Sequence, residues 1–225
     1  MQAKVRDVDF TYGEEGFRLC IPKLDLESGE RVAFVGPSGS GKTTLLHLLA
    51  GILIPRSGLV RVGDFELNRL DDAPRRAFRI SKIGFVFQDF RLIEYLNVRE
   101  NALLPYRLNP SLRLDESVGK RLSLLAEQLQ FEDELDLPID ELSQGERQRA
   151  AIARALLPRP GMILADEPTG NLDPANKTRI LDLLFSQTEE SESTLVMVTH
   201  DHALLDRFDR VIDFANFHNP KVSRV

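Results

Sequence analysis

Arg31-Val32-Ala33-Phe34-Val35-Gly36-Pro37-Ser38-Gly39-Ser40-Gly41-Lys42-Thr43-Thr44 begins as a short apolar run and breaks into three spaced glycines. The run predicts a buried strand, and the residues from Thr44 to Ala50 predict a helix that Gly51 can cap. A glycine-rich loop between a strand and a helix is the phosphate-binding pattern in its required context. The glycines let backbone N–H groups curl around an anion, and the helix N-terminus adds about half a positive charge. Lys42 is placed for the β- and γ-phosphates of a nucleotide, and the Thr43 hydroxyl for Mg²⁺. Gly36, Pro37, Ser38, Gly39, Ser40, Gly41, Lys42, Thr43 and Thr44 are therefore the expected nucleotide contacts.

Similar runs recur along the chain at Leu59–Val62, Ile83–Phe87, Met162–Ala165, Thr194–Thr199 and Arg210–Phe214. Their alternation with helical stretches predicts α/β architecture around a largely parallel sheet. Lys4–Tyr12 and Phe17–Ile21, separated by Gly13–Gly16, read instead as a hairpin in an antiparallel N-terminal β region. Between Asp89 and Glu141 no strand pattern stands out. Val118, Leu122, Leu125 and Leu129 recur there at spacings of four, three and four, one helical face that packing alone explains. Pro105, Pro110 and Pro138 are expected to mark helix boundaries in this inserted lobe.

Met162-Ile163-Leu164-Ala165-Asp166-Glu167 is an apolar run that delivers two carboxylates to a strand's C-terminal end. Open α/β sheets bind ligands at that edge. Asp166 is placed for Mg²⁺ and Glu167 for polarising a water. The run Thr194–Thr199 likewise ends in His200. Leu142-Ser143-Gln144-Gly145-Glu146 precedes a helix, Arg147–Leu157, with Ser143 and Glu146 spaced as a capping box. A plain capping box would suffice for that unit, but it lies between the helical lobe and the acidic strand, 20 residues before Asp166 (166 − 146).

Taken in order, these motifs resemble the ATP-binding subunits of ABC transporters from Val5 to about Asp213. In that resemblance Tyr12 of Phe10-Thr11-Tyr12 is the adenine-stacking ring. Gln88 is the glutamine that contacts Mg²⁺ and links the site to a membrane subunit. Ser143-Gln144-Gly145 is the signature that meets the γ-phosphate, Gly170–Asp173 the loop crossing between subunits, and His200 the switch histidine. Phe85–Phe90, Val98, Glu100-Asn101, Leu104-Pro105 and Pro168–Asp173 resemble more narrowly the subgroup of lipoprotein release, macrolide efflux and cell division. Two places depart. Gln144 and Glu146 stand where the signature usually has glycine and often glutamine, and Phe214-Ala215-Asn216-Phe217-His218 replaces a glycine-containing turn.

The resemblance implies an α/β fold: a P-loop NTPase core with a mainly parallel sheet, an N-terminal antiparallel β region and an inserted α-helical lobe. All 225 residues form one ATPase domain, with about 1–88 and 158–215 as core, 89–157 as lobe and 216–225 as tail. Its cofactors are ATP and Mg²⁺. Its catalytic residues are Glu167, His200 and Lys42, and its metal ligands Thr43, Gln88 and Asp166. Its partners are a second copy of itself, paired head to tail around ATP, and integral membrane permease subunits.

Composition narrows the alternatives. With 29 Lys+Arg against 35 Asp+Glu, the net charge of −6 argues against a broad nucleic-acid footprint. A DNA-repair member of the same superfamily would carry a long coiled-coil insertion, whereas Gln88 and Ser143 are 55 residues apart (143 − 88). A ribosome-associated member would usually hold two cassettes. A kinase or small GTPase would lack Gln88 and the signature. The single Cys20 forms no intramolecular disulfide, and no run reaches the roughly 18–20 apolar residues of a membrane span. The chain is therefore expected in the cytoplasm, peripheral on the cytoplasmic face of the membrane, with another chain doing the spanning.

Overall fold

Five apolar runs lie side by side in parallel: β3 (Arg31–Val35), β6 (Ile83–Val86), β7 (Met162–Asp166), β8 (Thr194–Val198) and β9 (Arg210–Asp213), in the order β6-β7-β8-β3-β9. A second, antiparallel sheet has the order β2-β1-β4-β5, from β1 (Ala3–Thr11), β2 (Arg18–Leu26), β4 (Ser57–Val62) and β5 (Phe65–Glu66). The helices are α1 (Lys42–Leu49), α2 (Asp72–Lys82), α3 (Val98–Leu108), α4 (Glu116–Leu129), α5 (Gln144–Leu156) and α6 (Pro174–Ser191). This computed structural model describes residues 1–13, 16–170 and 174–217. Asn171–Asp173 of the expected crossing loop, and residues 218–225 of the expected tail, lie outside the described residues.

Side chains alternate across a strand, so the parallel sheet feeds two cores. Ala33, Ile163, Ala165, Leu195 and Met197 join the buried faces of α4, α5 and α6. Val32, Phe34, Met162, Leu164, Val196 and Val198 join α1 and the antiparallel sheet. Both faces of β7 and β8 are covered, which explains their unbroken apolar runs. The sheet is thus sandwiched between an antiparallel layer with α1 and a helical layer.

Three expectations are corrected. Leu59–Val62, read alongside the core strands, belongs to β4 and pairs antiparallel with β1. Its outward Ser57 and Arg61 are exposed and Leu59 partly so, the mark of a sheet with one solvated face. Arg210–Phe214 ends one residue early, because Phe214 opens a 3-10 turn capped by the Asp213 side chain. Pro105 lies inside α3 rather than at its boundary. A proline there costs about 3 kcal/mol. The Asn97/Glu100 capping box and the buried Val98, Asn101 and Ala102 carry the helix through it.

The four-residue face Val118, Leu122, Leu125 and Leu129 is buried on α4. Each such side chain contributes roughly 1.5–3 kcal/mol when fully removed from water. From residue 89 to 157 the described elements are helical, joined by one isolated bridge between Asn97 and Pro138.

Candidate nucleotide site

Parallel pairing brings the chemistry to one edge. Phe34 pairs with Val198, Val198 with Asp166, and Ala165 with Val86. One or two residues beyond that row lie Gly36, His200, Glu167 and Gln88, all past the C-terminal ends of neighbouring strands. Residues far apart in sequence share the edge because every strand points the same way.

The phosphate loop turns back on itself through left-handed glycines. Gly36, Gly39 and Gly41 have φ of +133°, +76° and +104°. At Gly41 an added Cβ would press on the side-chain ends of Leu19, Cδ1 at 2.9 Å, and Phe17, Cζ at 3.0 Å, but it is the left-handed conformation that requires glycine. Lys42 opens α1 and is only 5% exposed. Its Nζ donates to the carbonyl oxygens of Gly36 and Pro37, each at 2.8 Å. Burial pushes its ammonium pKa down, opposed by Glu167, Asp166 and Asp213. A buried cation at a helix N-terminus, facing the loop's backbone, is a device for holding anionic phosphate.

A cleft of about 430 Å³ opens over this loop. It is lined by Tyr12, Ser38, Gly39, Gly41, Lys42, Thr43, Thr44, Gln88, Glu167 and His200. Asp166 is buried behind it, near the Thr43 side chain. Burial raises the Asp166 pKa, and the Thr43 contact works against that rise. Glu167 has φ +49°, a left-handed conformation rare for a non-glycine residue and typical of strain stored at working sites. His200 Nε2 lies 2.8 Å from Glu167 Oε1, so the imidazole orients the carboxylate.

Gly36, Pro37 and Ser40 complete the loop from behind rather than lining the cleft. Pro37, Ser38, Gly39 and Ser40 also border a second hollow closed by Phe214 and Phe217. Phe214 is buried against Phe34, with ring centroids 5.0 Å apart, and stands 3.2 Å from where a Gly36 Cβ would be. The atypical C-terminal segment thus buttresses the phosphate loop. Phe17 was missed by the sequence reading although it also lines the cleft, 6.4 Å from the Tyr12 ring. Its position two residues before β2's first inward leucine, facing Tyr12 across the hairpin, was the available signal.

Ser143, Gln144 and Gly145 are not among the residues lining this cleft. They form the N-terminus of α5, where Ser143 and Glu146 make a reciprocal capping box. The Ser143 hydroxyl donates to Glu146 Oε2 at 2.7 Å. Gln144 is the first helical residue, exposed, and keeps φ out of the left-handed region. A side chain is therefore tolerated where glycine is usual.

A glycine cradle, a buried lysine and strand-end acids on a parallel sheet define a phosphate-loop nucleotide-binding protein. Comparison narrows that class: the family described as ABC transporter matches residues 21–170. The chain belongs to the ABC transporter family, as an ATP-binding cassette. It is 40% identical over 189 residues to the lipoprotein-releasing system ATP-binding protein LolD of Legionella pneumophila (strain Paris), covering 84% of this chain and 82% of that one. It is 44% identical over 189 residues to the uncharacterized ABC transporter ATP-binding protein YvcR of Bacillus subtilis (strain 168), covering 84% and 72%. Among solved structures it resembles the dimeric, post-hydrolysis ATP-binding cassette MJ0796 bound to ADP and Pi. There the TM-score is 0.87 at 36% identity, covering 94% of this chain and 93% of the other.

Proposed function

We propose that this cassette hydrolyses ATP with Mg²⁺ in the cleft, pairs head to tail with a second copy around two ATP molecules, and drives a separate membrane permease of the lipoprotein-release or efflux type. The observation that carries the reading is the convergence of Lys42, Thr43, Gln88, Asp166, Glu167 and His200 on one sheet edge. The kind of permease follows from the names of the relatives. Residues 89–157 would act as the lobe that presents the signature, and the protein would sit on the cytoplasmic face beside its permease.

Tyr12 is 46% exposed and braced edge-on by Phe10 at 4.8 Å, which leaves a ring free to stack on adenine. Lys42 and the loop N–H groups hold the β- and γ-phosphates. Thr43, Gln88 and Asp166 offer oxygen donors of the type Mg²⁺ takes with nucleotide phosphates, and Thr43 lies close enough to Asp166 to affect its titration. Bound Mg²⁺ would neutralise charge on those phosphates. Glu167 accepts the proton of a water that attacks the γ-phosphorus as the bond to the bridging oxygen breaks, leaving ADP and phosphate. His200 holds Glu167 Oε1 in place for that transfer.

The signature explains the pairing. Ser143 and Gly145 stand at a helix N-terminus, an anion site by its unpaired N–H groups, yet away from their own chain's cleft. A second copy turned head to tail would bring its γ-phosphate there. No described helix is long and apolar enough to cross a membrane, so the spanning segments would come from the permease. Tyr95, 87% exposed seven residues after Gln88, is the natural docking point, whereas Leu92 is partly buried against the core. The test is turnover of ATP by the purified chain in Mg²⁺ and in EDTA, beside co-purification with the candidate permease. Turnover that survives EDTA, or a chain that never associates with the membrane partner, refutes it.

A further inference from the structure

Two adjacent non-glycine residues just past Gln88 are left-handed: Phe90 at φ +62° and Arg91 at φ +51°. Neither is β-branched, but two such residues in succession are held only by surrounding structure. Part of the hold is local. Phe90 N–H donates to the Phe87 carbonyl at 3.2 Å, Arg91 N–H to the Asp89 carbonyl at 2.6 Å, and the Arg91 side chain pairs with Asp89. The turn aims the carbonyls of Phe90 and Arg91 at α5. There the Arg154 guanidinium receives both, Nη1 donating to Arg91 O at 2.5 Å and Nη2 to Phe90 O at 2.6 Å.

Arg154 has no carboxylate partner among the described ion pairs, and burial alone drops its pKa to about 10. Even a half-buried guanidinium without a counter-ion is costly, so its two backbone contacts are the compensation that keeps it there. Its planar fork matches two adjacent carbonyls as a lysine's single ammonium does not. The same helix starts at Ser143 and is continuous from Gln144 to Leu156. Its far end is tied down as well: Tyr106 Oη donates to Leu157 O at 3.1 Å, and Arg121 Nη2 to Leu156 O at 3.2 Å. α5 is thus one unbroken helix with the signature at one end and the Gln88 turn clamped near the other.

We propose that Arg154 is a positioning residue: its fork over the Phe90 and Arg91 carbonyls ties the Gln88 turn to α5, so that Gln88's engagement at the cleft and the placement of Ser143–Gly145 are one event. The inference rests on the proposed nucleotide roles of Gln88 and the signature. Loss of the fork frees the turn from the helix but leaves Lys42, Thr43 and Tyr12 untouched. Turnover then falls while binding of ATP to the chain's own cleft stays.

The test is a double-substitution cycle on kcat with R154M and Q88A, in the full-length chain. R154M keeps the buried stem and removes the donors. Each single variant is expected to lower kcat about tenfold, within the usual range for coupled sites, and R154M to leave ATP affinity by calorimetry within about twofold of wild type. The double variant is expected to be no slower than the slower single one. Multiplied losses, near a hundredfold, overturn the tie, as does a loss confined to KM. Q88A with unchanged kcat instead removes the nucleotide role of Gln88, and the proposal with it. Should R154M fail to fold, R154K carries the same cycle, keeping stem and charge but only a point donor. Full activity in folded R154K refutes the requirement for a fork.

Discussion

Replacing Glu167 by Gln isolates one property of the site. Gln is isosteric, so the amide oxygen can keep its place beside His200 Nε2, which sits 2.8 Å from Glu167 Oε1. The backbone hold also survives: Glu167 N–H donates to the Val198 carbonyl at 3.1 Å, and the Glu167 carbonyl accepts from Gly170 N–H at 3.2 Å. What disappears is the basic oxygen. Loss of a general base typically costs 10²- to 10⁴-fold, which at 1.36 kcal/mol per decade is about 2.7–5.4 kcal/mol of barrier. Lys42, Thr43 and Asp166 are unaltered, so ATP should bind as before. Because bound ATP then persists, E167Q should accumulate as an ATP-dependent dimer. Single-turnover hydrolysis and light scattering with and without ATP measure both effects. Turnover within threefold of wild type would refute the base assignment, and a monomer at saturating ATP would refute the shared-site arrangement.

Tyr12→Ala should weaken nucleotide binding by about 1–3 kcal/mol, the scale of base–aromatic stacking; because a ring face reads no base edge, ATP and GTP should bind comparably, and a sharp ATP preference by calorimetry would require another contact. Gln144→Gly should leave turnover nearly unchanged, since Gln144 is exposed at the first position of α5 and offers its backbone; loss of most activity would assign the side chain a contact. Tyr95→Asp should leave the isolated chain folded and hydrolysing ATP but abolish co-purification with the permease, whereas Leu92→Asp should also lower the melting temperature, because Leu92 packs against the core. Retained co-purification by folded Y95D would move the docking point elsewhere.

The strands that position the site were legible because each is short, apolar and punctuated. Arg31–Val35 and Met162–Asp166 end where a glycine loop and two acids begin, and local pattern reports such boundaries well. The capping box at Ser143 and Glu146 was legible for the same reason: it is complete within four residues. The rest depends on partners distant in sequence. Whether Leu59–Val62 joins the parallel or the antiparallel sheet is decided by pairing with β1, more than fifty residues earlier. Pro105 reads as a helix boundary unless the stability of its capped, buried first turn is known. Phe17 carries only a faint local signal, its place just before β2's first inward leucine, and Arg154 carries none. One becomes a cleft wall when the hairpin folds over Gly41, the other a clamp when α5 crosses the Gln88 turn.

Where the backbone is strained follows the same division. Of the described left-handed residues that are not glycine, Asp7, Gln130, Arg159 and Glu192 lie elsewhere, while Glu167, Phe90 and Arg91 border the cleft or the turn that leads from it. Each is held by a contact from another element: Glu167 by the Val198 carbonyl on β8, Phe90 and Arg91 by Arg154 on α5. Strain of this kind persists only where surrounding structure over-determines it. The edge of the parallel sheet supplies that rigidity to Glu167, so the proposed base is fixed before any nucleotide arrives. The Gln88 turn has only one guanidinium and its own short hydrogen bonds. It is therefore the part of the site best able to change shape, and it lies between the phosphates and the exposed Tyr95 where a membrane partner would bear. A cassette that converts hydrolysis into force on another chain needs one rigid wall and one yielding wall, and these two sets of left-handed residues mark which is which.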